Sequence, residues 1–297
     1  MQYVSFVRNG EPRVGVRTGA GVLDLHAAAK AMDLLAPRTM EELIAAGEAG
    51  ARSVEAISRT ALRSGLVPLL GEDELVFLPV VSRPEKIICV GLNYRRHAEE
   101  SGLPVPGAPV YFAKYANSLA GHRHEIVLPA GAEQFDYEVE LAVVIGKPVH
   151  RAAEDAALDA VFGYTIANDL SARDWQMRTS QWMYGKAIDG FLPLGPWLVT
   201  ADEVSDPQSL RLRCTVNGEV RQDSTTADMV FSVAQIISDI SRIMTLKPGD
   251  VILTGTPEGV AMGMTPPPWL KPGDVVACEI EGLGCLVNRL VAEAGQP

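Results

Sequence analysis

The apolar pattern of this chain divides at about residue 85. Before it, short alternating runs give way to helical spacing. Tyr3 to Val7, Val14 to Arg17 and Val22 to Leu25 read as three strands of a small meander, separated by turns at Asn9-Gly10-Glu11-Pro12 and Gly19-Ala20-Gly21. Thr39-Met40-Glu41-Glu42 fits a capping box ahead of Leu43-Ile44. Arg52 to Arg63 carries Val54, Ile57, Ala61 and Leu62 at helical spacing before Gly65. A Pro- and Gly-richer break with Pro68, Gly71, Pro79 and Pro84 follows. It places a boundary between an accessory domain at 1–78 and a larger domain at 84–295.

The larger part reads mostly as strands. Lys86 to Gly91, Val110 to Tyr115, Tyr137 to Ile145, Gly163 to Ala167 and Gly195 to Val199 are strand candidates. Leu210 to Val216 and Glu219 to Asp223, joined by Asn217-Gly218, form the clearest hairpin. Ser232-Val233-Ala234-Gln235 opens a helix with Val233, Ile236, Ile237, Ile240, Ile243 and Met244 on one face. The turn Lys-Pro-Gly-Asp occurs at Lys247 to Asp250 and again at Lys271 to Asp274. A last hairpin, Val275 to Glu281 and Cys285 to Leu290, closes the core. The elements predict a β-rich α+β fold.

Within this pattern Phe135 to Gly146 is unusual, because Asp136, Glu138 and Glu140 occupy every second position of an apolar run. Strand side chains alternate faces, so the three carboxylates point the same way. An interior strand with this pattern needs a compensating cation, for which a hard metal ion is the simplest candidate. An edge strand with a solvated acidic face is the other arrangement it allows.

Composition narrows the classes of function. The 297 residues carry a net charge of -11, which argues against a nucleic-acid or anionic-membrane partner. Cys89, Cys214, Cys278 and Cys285 are scattered without zinc-ligand spacing and read as buried thiols of a reducing cytosol. The N-terminus shows no leader pattern and no stretch is long and apolar enough to span a bilayer, so a soluble, cytoplasmic protein is expected.

Further chemistry lies in four places. Asp169 sits where a strand end meets a turn, and with Glu138 and Glu140 it makes an all-oxygen set suited to Mg²⁺, Mn²⁺ or Ca²⁺; a turn or capping role is the alternative. His97 and Glu100 are three apart and share a face of a short helix, as a base and its orienting carboxylate would, or as members of a surface helix of alternating charge. Lys114 and Lys186 stand isolated in apolar or Gly-rich surroundings, suited to an enolate or oxyanion or to snorkelling at the surface. Thr254-Gly255-Thr256-Pro257-Glu258-Gly259 is a Gly-rich turn whose amides suit a carboxylate, as those of other β-corners do.

The order of these motifs is more specific than any one of them. Asn93-Tyr94-x-x-His97-x-x-Glu100, Asp136-Tyr137-Glu138-x-Glu140-Leu141, Asn168-Asp169-x-Ser171-Ala172-Arg173-Asp174-x-Gln176, Gly185-Lys186 and Thr254-Gly255-Thr256-Pro257-x-Gly259 follow one another as in the fumarylacetoacetate hydrolase family. The chain resembles that family over residues 86 to 290, in its smaller acylpyruvase-like or 2-hydroxyhepta-2,4-diene-1,7-dioate isomerase-like bacterial branch. The resemblance implies a mixed β-sandwich or roll core, a small N-terminal α+β domain and a homodimer. It implies Mg²⁺ or Mn²⁺ held by Glu138, Glu140 and Asp169, with Asp136 only a neighbour. His97 and Glu100 are then a dyad on a lid, Lys186 stabilises an enolate, and Gln176, Thr256 and Lys114 bind substrate. The activity expected first is hydrolysis of a carbon–carbon bond in a 2,4-diketo acid of the acylpyruvate or fumarylpyruvate kind, through a pyruvate enolate. Decarboxylation of oxaloacetate or isomerisation of a 2-hydroxyhepta-2,4-diene-1,7-dioate on the same site is the alternative, since each passes through a related enolate.

Overall fold

The structure, a computed structural model, describes residues 1–295. Its larger sheet is mixed and eleven-stranded, nine strands running in the order Gly21–Asp24, Glu11–Thr18, Gln2–Arg8, Leu192–Thr200, Val161–Asn168, Val139–Ile145, Val251–Leu253, Ile87–Gly91 and Val110–Lys114. Val76–Phe77 and Leu119–Ala120 attach beside this path. A second sheet has five strands, Glu219–Thr225, Arg211–Val216, Val275–Ile280, Gly284–Ala292 and Glu125–Leu128. The N-terminal meander is continuous with the larger sheet, because Gln2 and Tyr3 pair with Val199 and Leu198.

Side-chain alternation makes three layers of this arrangement. In Val139–Ile145, residues Val139, Leu141, Val143 and Ile145 join a core that also holds Leu212, Cys214, Val276 and Leu286 of the second sheet and Ile236 and Ile240 of the helix Val233–Ser241. Ala142 and Val144 face the other way, into a core with Leu25, Met40, Leu43, Val54 and Ile57 of the N-terminal helices. All seven residues of this strand are buried, and it lies between Val161–Asn168 and Val251–Leu253. It is therefore an interior strand, and the solvated-edge arrangement of its carboxylates does not apply.

Local chemistry explains where elements begin and end. Asn217 and Gly218 both have positive φ, 52° and 83°, as a tight hairpin of this kind needs, and Val216 pairs with Glu219. Thr39 caps Met40–Ala45 by accepting from the Glu42 N–H, but the Glu42 carboxylate accepts from the Arg38 N–H and not from Thr39, so only half of the expected box forms. Leu62 stands exposed outside the apolar face of Gly47–Ser64, which is made by Val54, Ile57, Ser58 and Ala61. Ile243 is likewise exposed, because the helix carrying Ile240 ends at Ser241. The run expected as a strand from Tyr137 is broken at Tyr137-Glu138, leaving Phe135–Asp136 paired separately with Ser171–Ala172.

Candidate active site

Strand register assembles the carboxylates. Val139 pairs with Asn168 and Glu140 with Ala167, so Asp169, one residue beyond, lies beside Glu138. The Asp169 N–H donates to the Glu138 carbonyl at 2.9 Å, and the Glu138 N–H donates to Asn168 Oδ1 at 3.0 Å. Each of Glu138, Glu140 and Asp169 is buried, and each offers an oxygen within 4.8 Å of the others.

Cations surround this cluster on one side. Lys186 Nζ donates to Glu138 Oε2 at 2.7 Å and to Asp169 Oδ2 at 2.8 Å. Arg173 Nη2 lies 2.6 Å from Glu138 Oε1. Burial alone would raise the Glu138 pKa, but Lys186 and Arg173 outweigh it and hold the group well below the usual carboxylate range. Among the described residues Glu140 has no such ion-pair partner. Burial, then the charges of Asp169 and Glu138, push it well above the ordinary range, against the more distant charge of Lys186 and a Gly255 N–H donated at 2.7 Å. A divalent cation would remove this imbalance, and three carboxylates are a hard oxygen donor set of the kind Mg²⁺, Mn²⁺ and Ca²⁺ prefer. The residues present fit such an ion.

The two lysines differ in what they have left to offer. Lys114 Nζ donates to Asp169 Oδ1 at 2.5 Å, to the Phe191 carbonyl at 2.8 Å and to the Leu170 carbonyl at 3.2 Å, which uses its three protons. It is buried beside Asp169 and is not among the residues lining the cavity. Burial lowers its pKa in spite of Asp169. Lys186 spends two protons among the described residues and lines the cavity, so one N–H remains for a ligand. Burial would lower its pKa, but Asp169 and Glu138 raise it, and the ammonium stays charged. Gly185 explains how it arrives there. A Cβ at Gly185 would lie 2.3 Å from the Ala172 carbonyl oxygen, so only glycine lets Met183–Lys186 press against Arg173–Gln176.

His97 and Glu100 occupy the helix Arg95–Glu100, with His97 Nδ1 3.4 Å from Glu100 Oε2. Glu100 is fixed from the other side by the Gly259 N–H, at 3.0 and 3.2 Å from its two oxygens. A carboxylate only accepts, so Nδ1 carries the ring proton in the neutral imidazole and Nε2 is left as the basic atom. Asn93 pins the root of this helix by donating to the Phe231 and Thr254 carbonyls and accepting from the Phe231 N–H. Gly91 owes its place to packing, since a Cβ there would lie 2.6 Å from the Trp182 ring.

One cavity of about 330 Å³ is lined by His97, Glu100, Glu138, Glu140, Arg173, Gln176, Lys186 and Thr256. Gln176 Oε1 accepts from Arg173 Nη1 at 3.0 Å, which leaves its N–H₂ as the donor toward the cavity. The Thr256 hydroxyl is turned to the fold, donating to the Val139 carbonyl at 3.0 Å and accepting from Gln222 at 2.9 Å. Asp136 stands apart from the carboxylate cluster. It accepts from Arg173 Nε at 2.9 Å and from the amides of Ala261 at 2.7 Å and Met262 at 3.2 Å, tying the wall of the site to the 261–263 turn. Arg173 stands between Asp136, Glu138 and Gln176, a contact set for which its place in Ser171-Ala172-Arg173-Asp174 is the signal in the sequence.

A supported imidazole, a charged lysine and a buried carboxylate triad whose Glu138 and Glu140 line the same cavity define an enzyme site. Residues 86–291 match the family described as fumarylacetoacetate (FAA) hydrolase, C-terminal. The chain is 46% identical over 284 residues to a human protein named oxaloacetate tautomerase FAHD2A, mitochondrial, covering 94% of this chain and 88% of that one. Its structure is similar to that of a fumarylacetoacetate hydrolase from psychrophilic Exiguobacterium antarcticum, with a TM-score of 0.85, 36% identity and coverage of 99% and 100%. It is also similar to a maleylpyruvate hydrolase from Sphingobium sp. SYK-6 in complex with manganese(II) ion and pyruvate, with a TM-score of 0.79, 30% identity and coverage of 98% and 99%. The chain belongs to the fumarylacetoacetate hydrolase family. No helix among the described residues is long and apolar enough to cross a membrane.

Proposed function

We propose that the protein is a divalent-metal-dependent tautomerase of oxaloacetate-type 2-oxo acids. The observation that carries this reading is what one cavity brings together: a base with an available Nε2, a lysine with an uncommitted N–H, and Glu138 and Glu140 of an oxygen-donor triad. These groups suffice to move a proton between carbon and oxygen, and no attacking water is required. The 46% identity to a protein named as an oxaloacetate tautomerase favours this reaction over the hydrolysis expected first.

A divalent cation held by Glu138, Glu140 and Asp169 supplies Lewis-acid polarisation of the substrate oxygens when bound. His97 Nε2 takes a proton from C3 of the keto form, and Glu100 and the Gly259 amide hold the imidazole in the tautomer that makes this possible. The remaining Lys186 N–H faces the negative charge that gathers on the C2 oxygen. Gln176 donates its amide to the second carboxylate. Run in reverse, His97 returns the proton to C3.

Carbon–carbon hydrolysis is the second reading, supported by the similarity to a maleylpyruvate hydrolase. The ultraviolet absorbance of the enol separates the two. Enol-oxaloacetate should ketonise faster with the Mn²⁺- or Mg²⁺-loaded protein, and His97→Gln should remove most of the acceleration. Unchanged enol decay together with release of pyruvate from an acylpyruvate would replace the first reading by the second. The homodimer and the cytoplasmic location implied by the resemblance and composition remain part of this proposal. Light scattering tests the first and fractionation of the source cells the second.

A further inference from the structure

The two cations of the cavity wall, Lys186 and Arg173, both lie at its carboxylate end. Lys186 faces Glu138 and Asp169, while Arg173 faces Asp136, Glu138 and Gln176. The rest of the wall is largely apolar, with Leu92, Leu103, Phe112, Met177, Trp182 and Met262 beside the polar His97, Glu100, Ser101, Gln176 and Thr256. Phe112 and Trp182 meet edge to face, with centroids 5.3 Å apart and planes at 70°. This pair depends on Gly91, whose missing side chain leaves room for the Trp182 ring. Lys186 Nζ lies 5.3 Å from the Phe112 centroid, so the aromatic surface begins where the charged end stops.

We propose that the site accepts 2-oxo acids whose C3 substituent is aromatic, and that the enzyme tautomerises arylpyruvates in addition to oxaloacetate. The proposal rests on the tautomerase reading and extends it to a second substrate class. With C1 and C2 at the carboxylate triad, a ring on C3 reaches the Phe112–Trp182 surface, where aromatic contacts and burial favour it. Among the described residues that line the cavity, a second carboxylate there has the Gln176 amide as a donor and no cation besides Lys186 and Arg173 at the carboxylate end. The reaction balances within the substrate. The enol O–H loses its proton, C3 gains one, and the C2–C3 double bond becomes the C2 carbonyl, so no oxidant or co-reactant enters.

The test uses the full chain with Mn²⁺, enol-phenylpyruvate and enol-oxaloacetate as substrates, and calorimetric binding of 3-phenyllactate and malate as their non-enolising analogues. Ketonisation of phenylpyruvate is expected, with 3-phenyllactate bound about tenfold tighter than malate, the discrimination an apolar pocket of this kind gives. Trp182→Ala should reduce the phenyllactate-to-malate affinity ratio by about fivefold, and Met177→Arg should shift it toward malate by a similar factor. Malate binding tighter than phenyllactate, or a ratio that neither variant moves, overturns the aromatic site. Activity on oxaloacetate with none on phenylpyruvate rejects the second substrate class alone. Inactivity on both rejects the tautomerase reading, and the binding ratio then supports or overturns the aromatic site by itself.

Discussion

Gly263 packs directly on the carboxylate of Glu100: a Cβ at position 263 would lie 2.3 Å from Glu100 Cδ. The group in the way is the end of a flexible side chain, so Gly263→Ala should move Glu100 off the Gly259 N–H and leave the backbone where it is. His97 then loses its orienting partner. We expect kcat to fall about 10- to 100-fold with a much smaller change in KM, since displacement by about 1 Å has effects of that order. Unfolding midpoints should stay close to those of the unaltered protein. An unchanged kcat would show that Glu100 does not act through His97.

Glu140 is the member of the triad that burial and its neighbours drive toward protonation. Glu140→Gln replaces it by a neutral isostere that still accepts from the Gly255 N–H, so the metal-free protein should lose little stability. Its Mn²⁺ response should disappear. In the unaltered protein Mn²⁺ at about 100 times its Kd adds about 2.7 kcal/mol of stability, read as a rise in Tm that a chelator reverses. Equal Mn²⁺-induced shifts in both proteins would remove Glu140 from the ligand set.

Lys114→Met leaves Asp169 with one cation fewer and two buried carbonyls without a donor. Breaking a buried ion pair from one side costs about 3–5 kcal/mol. Urea unfolding should therefore show a lower midpoint, whereas a substrate-binding role would raise KM and leave the midpoint in place.

His122 sets a pH dependence away from the site. Its Nδ1 accepts from the Val287 N–H at 3.0 Å and its ring stands edge-on to Phe77, so the folded protein holds it neutral. Burial, then the charge of Arg123, lowers its pKa from 6.5 to about 4. Above about pH 6.5 neither folded nor unfolded histidine is protonated, and this contribution is fully present. As pH falls toward 4 the unfolded chain takes up a proton that the folded one refuses, and stability drops by about 1–3 kcal/mol. His122→Asn keeps an acceptor for Val287 and does not titrate. The difference between the two proteins in urea midpoint should grow between pH 6.5 and 4, and a constant difference refutes the assignment.

The carboxylate site was legible because its signals are local. Glu138 and Glu140 follow from strand alternation, and Asp169 from a strand end, even though the strand itself breaks at Tyr137-Glu138. The Asn217-Gly218 hairpin was equally plain, since its φ values are a property of those two residues. Leu192–Thr200 was read too short, because Pro193 and Pro196 disfavour an interior strand and its register with Val161–Asn168 shifts between Tyr164 and Ile166. Helix Leu25–Ala31 was missed: its cap is Asp24, which reads as the end of the preceding strand. The acceptors of Lys114, namely Asp169, Leu170 and Phe191, carry no signal at position 114, because they come from segments that only the folded chain brings together. Gly263 carries no local signal at all, since its importance lies in what Glu100 does 163 residues earlier.

The pairing of Gln2–Arg8 with Leu192–Thr200 means that sequence family and folding unit have different borders. A fragment cut to residues 86–291 would leave Leu198 and Val199 without their strand partners Tyr3 and Gln2 and strip the N-terminal helices from Ala142, Val144, Leu194 and Leu198. Such an unpaired, apolar strand invites association with other chains. Expression of this enzyme for any of these measurements therefore has to include the strand Gln2–Arg8 and the helices that follow it.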